Sequence, residues 1–349
     1  MTSEDDFPRN FLNDVGPSET PASEPRGLLP EEEPFSFAGA TEWLNSPPLT
    51  GAALRGRVVL VNFWTYTCIN WLRSLPYVRA WEEAYRHSGL VVIGVHSPEF
   101  SFEHEVGNVR PAMEALSIGY PVAVDNSFQV WRSFDNHYWP AVYLVDARGR
   151  LRHTSFGEGD YEETEAALRR LLTEAGAADP GPAVGPVAGA GIEAAADWKT
   201  LRSAETYLGY QRTSGFASPG GLAADRLHAY SAPPRLRRGQ WALAGNWAAG
   251  AEAAVSGAPG DRLSCRFHAR DLHLVAAPAA PGSAIRLRVL LDGREPGADS
   301  GLDIDEAGFG SITGPGLHQL LRRSGPGTEG TAEIEFLDPG AGVYCFTFG

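Results

Sequence analysis

The segment Val58–Trp64 (VVLVNFW) is an almost unbroken apolar run, and a cysteine, Cys68, follows it across the short link Thr65-Tyr66-Thr67. A run of this length and composition predicts a strand buried on both faces, which requires helices packed on each side of its sheet. Residues Cys68 to His87 supply one such helix. Leu72, Leu75, Val78, Trp81, Ala84 and Tyr85 fall at helical spacing, Pro76 lies inside, and Gly89 stands where a C-cap belongs. Leu90–Val95 is a second buried strand. Glu103–Leu116 reads as a helix with Pro111 kinking or dividing it. Pro121–Val124, Ala141–Asp146 and Leu151–Phe156 read as strands, the last two as a hairpin around Ala147–Arg150, and Tyr161–Ala175 closes the unit as an amphipathic helix. The pattern is α/β, with a central mixed sheet and helices on both faces.

The remainder of the 349 residues is organised around this unit. Residues 1–33 hold Glu4, Asp5, Asp6, Asp14, Glu19, Glu24, Glu31, Glu32 and Glu33 against Arg9 and Arg26, with no hydrophobic period; this predicts a disordered acidic leader. Residues 34–175 are the α/β domain, and residues 176–191, almost all Gly, Ala and Pro, are the expected linker. Beyond it, Gln240–Ala244, Leu263–Phe267, Asp271–Ala276, Ile285–Leu291, Gln319–Arg322, Thr331–Phe336 and Val343–Phe348 read as short strands between turn signals. Residues 192–349 are therefore expected to form an all-β sandwich or jelly roll.

With 43 acids against 29 bases the net charge is −14, so the chain has no electrostatic reason to bind a nucleic-acid backbone. No apolar run approaches the roughly 18 residues needed to span a bilayer, so no membrane partner is expected. The first residues, MTSEDDFPRN, lack a basic n-region and an apolar h-region, which predicts a cytoplasmic chain. Cys68, Cys265 and Cys345 are too few for a disulfide framework, and their odd number leaves at least one free thiol. Cys265 alternates with Leu263 and Phe267 and reads as an inert buried thiol; Cys345 lies in the terminal strand, and a pair between the two requires neighbouring strands. His96 and His104 have no Cys or Asp at ligand spacing, and Asp303 and Asp305 do not meet the EF-hand pattern. No metal or other cofactor is expected.

The chemistry converges on Cys68. A cysteine that follows a buried strand and opens a helix meets free backbone N–H groups and the positive end of the helix dipole, which lower a thiol pKa and make the sulfur nucleophilic. Pro140, in Tyr138-Trp139-Pro140 ahead of the AVYLVD strand, is a candidate cis-proline facing that thiol. FWTYTCIN with the later WPAVYLVDARGR resembles the thioredoxin-like fold in its TlpA/redoxin (AhpC/TSA-type) branch. VIGVHSPEFSFEHE, DNHYWPAVY, FGEGDYEETE, GFASPGG, FHARDLHLV and EIEFLDPG extend the resemblance to the soluble part of DipZ-type proteins, over about residues 35–349. It implies a thioredoxin-like module followed by a sandwich similar to carbohydrate-binding modules.

Two departures from the family follow. Its dithiol centre is CINC-like, and here the sequence is Cys68-Ile69-Asn70-Trp71, with Trp71 in the place of the resolving cysteine. Its buried acid, six residues before the first cysteine, is here Asn62. The two losses agree with each other and argue against dithiol exchange within this centre. Single-cysteine redox chemistry remains: Cys68 attacks a peroxide or a protein or small-molecule disulfide, and an external thiol restores it. Thr65 stands at the TxxC spacing of peroxiredoxins, where the hydroxyl aligns the peroxide; packing is the alternative. Glu99, after the second strand, is expected on the same sheet edge as Cys68 as a proton relay or a solvated loop residue. His137 flanks the cis-proline loop, and Trp71 and Trp139 form an apolar collar. The rival reading is a redox-inactive module that holds a peptide between Trp71 and Pro140 and a glycan or protein partner on the sandwich, where Trp241 and Trp247 are either a sugar platform or core.

Overall fold

A computed structural model describes residues 36–349; the leader expected over residues 1–33 lies outside them. The chain divides into a unit that ends at Glu193 and a unit that begins at Ala194.

The first unit holds a six-stranded sheet of β1 (Glu42–Leu44), β2 (Val58–Trp64), β3 (Leu90–His96), β4 (Val122–Val124), β5 (Ala141–Val145) and β6 (Leu151–Phe156), in the order β1-β4-β3-β2-β5-β6. Its helices are α1 (Gly51–Leu54), α2 (Ile69–Tyr85), α3 (Val106–Ala115), α4 (Gln129–Ser133) and α5 (Tyr161–Glu174). β2 lies between parallel β3 and antiparallel β5, which accounts for its sequence: every one of its residues is buried. Strand alternation then assigns its faces. Val59, Val61 and Phe63 enter one apolar cluster with Ile93, Val95, Trp131 and Tyr143. Asn62 and Trp64 are left to the opposite face, where α2 packs.

Three elements matter for the site. β2 and β3 run parallel in register, Trp64 beside His96, so the segments that follow them leave from one edge of the sheet. β5 runs the other way and starts at that same edge, Ala141 beside Phe63. The expected helix Glu103–Leu116 is instead a 3₁₀ turn, Ser101–His104, followed by α3. The cause is Glu103 itself, whose carboxylate bonds back to the amides of Glu99 and Phe100 and closes the turn. Glu105, extended between the two, is the N-cap of α3.

The Gly-Ala-Pro segment expected to be a free linker is docked on the first unit. The buried Glu165 carboxylate of α5 accepts the amides of Val184 (2.5 Å) and Gly185 (3.2 Å), and Arg169 donates to the Gly181 carbonyl (2.6 Å). Tyr85 donates to Glu165, and Arg79 bonds Glu193 at 2.6 Å. Small side chains leave the backbone of this segment accessible, and buried polar groups on α2 and α5 use it.

The second unit is all antiparallel: β7 (Thr206–Tyr207), β8 (Leu227–Tyr230), β9 (Trp241–Ala249), β10 (Ala254–Ser256), β11 (Asp261–Ala269), β12 (Asp271–Pro278), β13 (Ile285–Leu291), β14 (Phe309–Ile312), β15 (Gly316–Arg322), β16 (Thr328–Phe336) and β17 (Ala341–Phe348). They form one 11-stranded sandwich-like sheet along the path β14-β13-β16-β11-β9-β10-β17-β12-β15, with β7 on β17 and β8 on β9. Trp241 and Trp247 are fully buried in its core, so neither is a sugar-stacking platform. Cys265 on β11 and Cys345 on β17 are separated by β9 and β10, and neither forms a disulfide. Asp303 and Asp305 accept the amides of Gln319 and Phe309 and hold turns.

Candidate functional site

Cys68 is the N-cap of α2, half-buried, with its amide donating to the Thr65 carbonyl (3.3 Å) and its carbonyl accepting from Leu72 (3.0 Å). Its side chain does not cap the helix. The sulfur faces the other side of the site: Sγ lies 3.9 Å from the carbonyl oxygen of Trp139. The Trp139–Pro140 peptide is cis. The loop that carries it is held by Asn136, whose amide donates to the Tyr138 carbonyl (3.1 Å) and accepts from the Tyr143 hydroxyl (3.0 Å). Trp139 donates its indole N–H to the Ser97 carbonyl (3.1 Å) and packs on Trp131. The fold thus brings Cys68 and the cis-proline loop together at the carboxyl edge of the parallel strands.

Trp71 is fully buried and is not part of an exposed collar. It stacks on Trp64 with ring centroids 4.4 Å apart, and its indole N–H donates to Asn62 Oδ1 at 2.8 Å. Asn62 in turn donates through Nδ2 to the Ala141 carbonyl (3.3 Å), the first residue after the cis-proline. The two positions at which this sequence departs from the family pattern are therefore bonded to each other. The amide serves both contacts, accepting from Trp71 and donating to Ala141, which an ionised carboxylate cannot do.

Thr65 is fully buried, so its hydroxyl is not presented to solvent beside the thiol. Glu99 is partly buried, and its backbone amide enters the network behind the site. His137 is on the surface against Asp135 (3.2 Å). The residue that sequence reading passes over is Glu103. Its carboxyl is wholly buried; Oε1 accepts from the Thr67 hydroxyl (2.6 Å), and Oε2 accepts from the amides of Glu99 (2.6 Å) and Phe100 (3.0 Å). Burial pushes its pKa up to about 7, with the nearby Glu99 adding to the rise and the Thr65 and Thr67 hydroxyls opposing it. The acid spacing in PEFSFEHE shows several carboxylates and no sign of which one turns inward. His96, between the rings of Trp64 and Tyr66, is held neutral by burial, its pKa lowered to about 3.

Cys265 differs from Cys68 on every count. It is buried in mid-strand, and burial pushes its thiol pKa well above the usual range. Among the described residues no helix is long and apolar enough to cross a membrane, and no cluster of His, Cys, Asp and Glu could hold a metal ion.

Comparison with known proteins agrees with this division. Residues 44–154 match the AhpC/TSA family, and residues 203–349 match the family described as thioredoxin like C-terminal domain. Protein DipZ of Mycobacterium tuberculosis is 39% identical over 259 residues, covering 73% of this chain and 36% of DipZ. The chain thus spans about a third of the length of the DipZ proteins it matches. The thiol-disulfide oxidoreductase YkuV of Bacillus subtilis is 27% identical over 138 residues, 40% of this chain and 93% of YkuV. These relatives correct the cytoplasmic expectation. Among the solved structures the chain is similar to is that of a secreted Mycobacterium tuberculosis disulfide oxidoreductase (17% identical, 36% of this chain and 89% of that one, TM-score 0.31). The expectation rested on the lack of a signal in the first residues, and where this sequence begins says nothing about what precedes it.

Proposed function

We propose that this chain, in which a segment that matches the AhpC/TSA family is followed by one that matches the thioredoxin like C-terminal domain, is a thiol–disulfide oxidoreductase that works through Cys68 alone. The observation that supports this reading most strongly is the occupant of position 71. A buried tryptophan, bonded to Asn62, stands where the resemblance puts a resolving cysteine. The thiolate of Cys68 attacks one sulfur of a partner disulfide. The partner S–S bond breaks, a Cys68–partner bond forms, and the departing thiolate takes a proton from water. With no second thiol on α2, the mixed disulfide persists until an external thiol attacks it, releases the partner and restores Cys68; a dithiol reductant supplies the two electrons. The Trp139 carbonyl lies against the sulfur at 3.9 Å. The buried Thr65 hydroxyl favours a disulfide over a peroxide as the electrophile.

The test is intact mass after exposure to a small aromatic disulfide. One stable adduct per chain is expected, absent from Cys68→Ser and removed by added thiol. An internal disulfide in place of the adduct contradicts the single-cysteine mechanism. No adduct at all favours the rival, a redox-inactive module that holds a peptide, glycan or protein partner.

A further inference from the structure

Two carboxyl oxygens of Glu103 are bound to two different parts of the site. Oε2 closes the turn after β3 through the amides of Glu99 and Phe100, and a turn-forming role needs nothing more. Oε1 is committed elsewhere, to the hydroxyl of Thr67, the residue immediately before Cys68. This bond crosses from the β3 side of the sheet edge to the loop that presents the thiol, and the carboxyl that makes it has no exposure to solvent. A carboxyl buried without a cationic partner is costly in either protonation state unless its hydrogen bonds are complete. The position at which the resemblance places an acid, Asn62, is neutral and engaged with Trp71 and Ala141.

We infer that Glu103 is the acid of this site, a positioning residue that sets the reactivity of Cys68 through Thr67. The inference builds on the assignment of Cys68 as the working thiol. With the carboxyl protonated, the Glu103–Thr67 contact adds no negative charge behind the loop that presents the thiolate. With it ionised, a carboxylate lies one residue behind the sulfur and disfavours the thiolate. The charged group that acts on Glu103 is Glu99 on its own loop, which raises its pKa; His96, at the end of β3, stays neutral, and His104 is exposed on the same turn. Burial holds the carboxyl near the middle of the working range, at about 7, so both states are populated.

Titration of the Cys68 thiolate by its ultraviolet absorbance, in the full chain, tests this without any demand on turnover. A protein that fails the adduct test can therefore still pass or fail here. Wild type is expected to titrate in two steps, with an inflection near pH 7 from Glu103. Glu103→Gln should titrate in one step at lower pH. A fall of one unit multiplies the thiolate fraction about tenfold, and the accompanying loss of intrinsic nucleophilicity leaves alkylation about threefold faster below the thiol pKa. Thr67→Val keeps Glu103 and removes the bond between them; it should move the inflection to higher pH, because the Thr67 hydroxyl lowers the carboxyl pKa. This variant decides the matter if Glu103→Gln does not fold. A single-step wild-type curve, or a two-step curve unchanged in a folded Glu103→Gln or Thr67→Val, overturns the inference and leaves Glu103 a turn-former.

Discussion

Cys68 in the first unit and Cys265 in the second are the same side chain under opposite conditions, and Glu103 and Asp271 carry the same functional group under opposite conditions. Cys265 lies in mid-strand between β9 and β16, opposite Trp241 and Ala332, where burial disfavours the thiolate and no reactant can reach it. Cys68 ends a loop at a helix N-terminus and faces a carbonyl across a cis-proline. Asp271 is fully buried but gripped by Arg270 (2.7 and 3.0 Å) and Arg322 (3.0 and 3.1 Å), which outweigh its burial and hold its pKa below the usual carboxylate value. Glu103 is equally buried, accepts only neutral donors, and its pKa rises. The second unit neutralises its buried charge with fixed partners, which is a structural solution. The first unit leaves a thiol accessible and an acid poised at one sheet edge, which is a chemical one.

The largest expected effect comes from Trp71→Cys. Removing a fully buried tryptophan that stacks on Trp64 and bonds Asn62 should cost about 3–5 kcal/mol of stability. Where the variant still folds, the introduced thiol stands at CxxC spacing from Cys68, and oxidation should close an internal disulfide that gives insulin-reducing activity wild type lacks. Denaturant unfolding and intact mass read the two effects. A folded variant that never closes the bond shows that position 71 is out of reach of Cys68, and breaks the comparison with dithiol relatives.

A smaller effect is expected from Asp271→Asn. It leaves two guanidiniums beside a neutral amide and should cost about 3 kcal/mol, read by denaturant unfolding of the second unit. The pH sign follows from the depressed carboxyl pKa. Stability from Asp271 is fully present above its unfolded value, about 3.9, and is lost as pH falls through the lower folded value, so the variant should show less acid dependence there. Equal stability of wild type and variant at neutral pH contradicts the structural role given to this cluster.

The sequence makes the frame of the site legible and leaves its wiring hidden. β2, α2, β3 and the cis-proline loop follow from apolar runs, helical spacing and a proline before a strand. The mixed sheet follows from their order, and the antiparallel second unit from short alternating strands between turns. β1, α1 and α4 are too short to carry a period, so only pairing and packing define them. Asn62 and Trp71 are visible as departures, but their hydrogen bond depends on which face of β2 meets α2, and that is fixed by tertiary packing. Glu103 is one of several acids in one loop, distinguished only by the turn that its own carboxylate closes. The segment over 176–191 looks unstructured because its bonds use backbone atoms, which composition does not report.

One thiol of the three is built for chemistry, and competitive alkylation reads the difference. The native full chain is treated near neutral pH with a limiting alkylating agent, and labelling is assigned to Cys68, Cys265 and Cys345 by peptide mass. Cys68 is expected to react at least about tenfold faster than either buried cysteine, with a thiol pKa below the reference of about 8.5. Equal labelling of all three in the folded protein would contradict it.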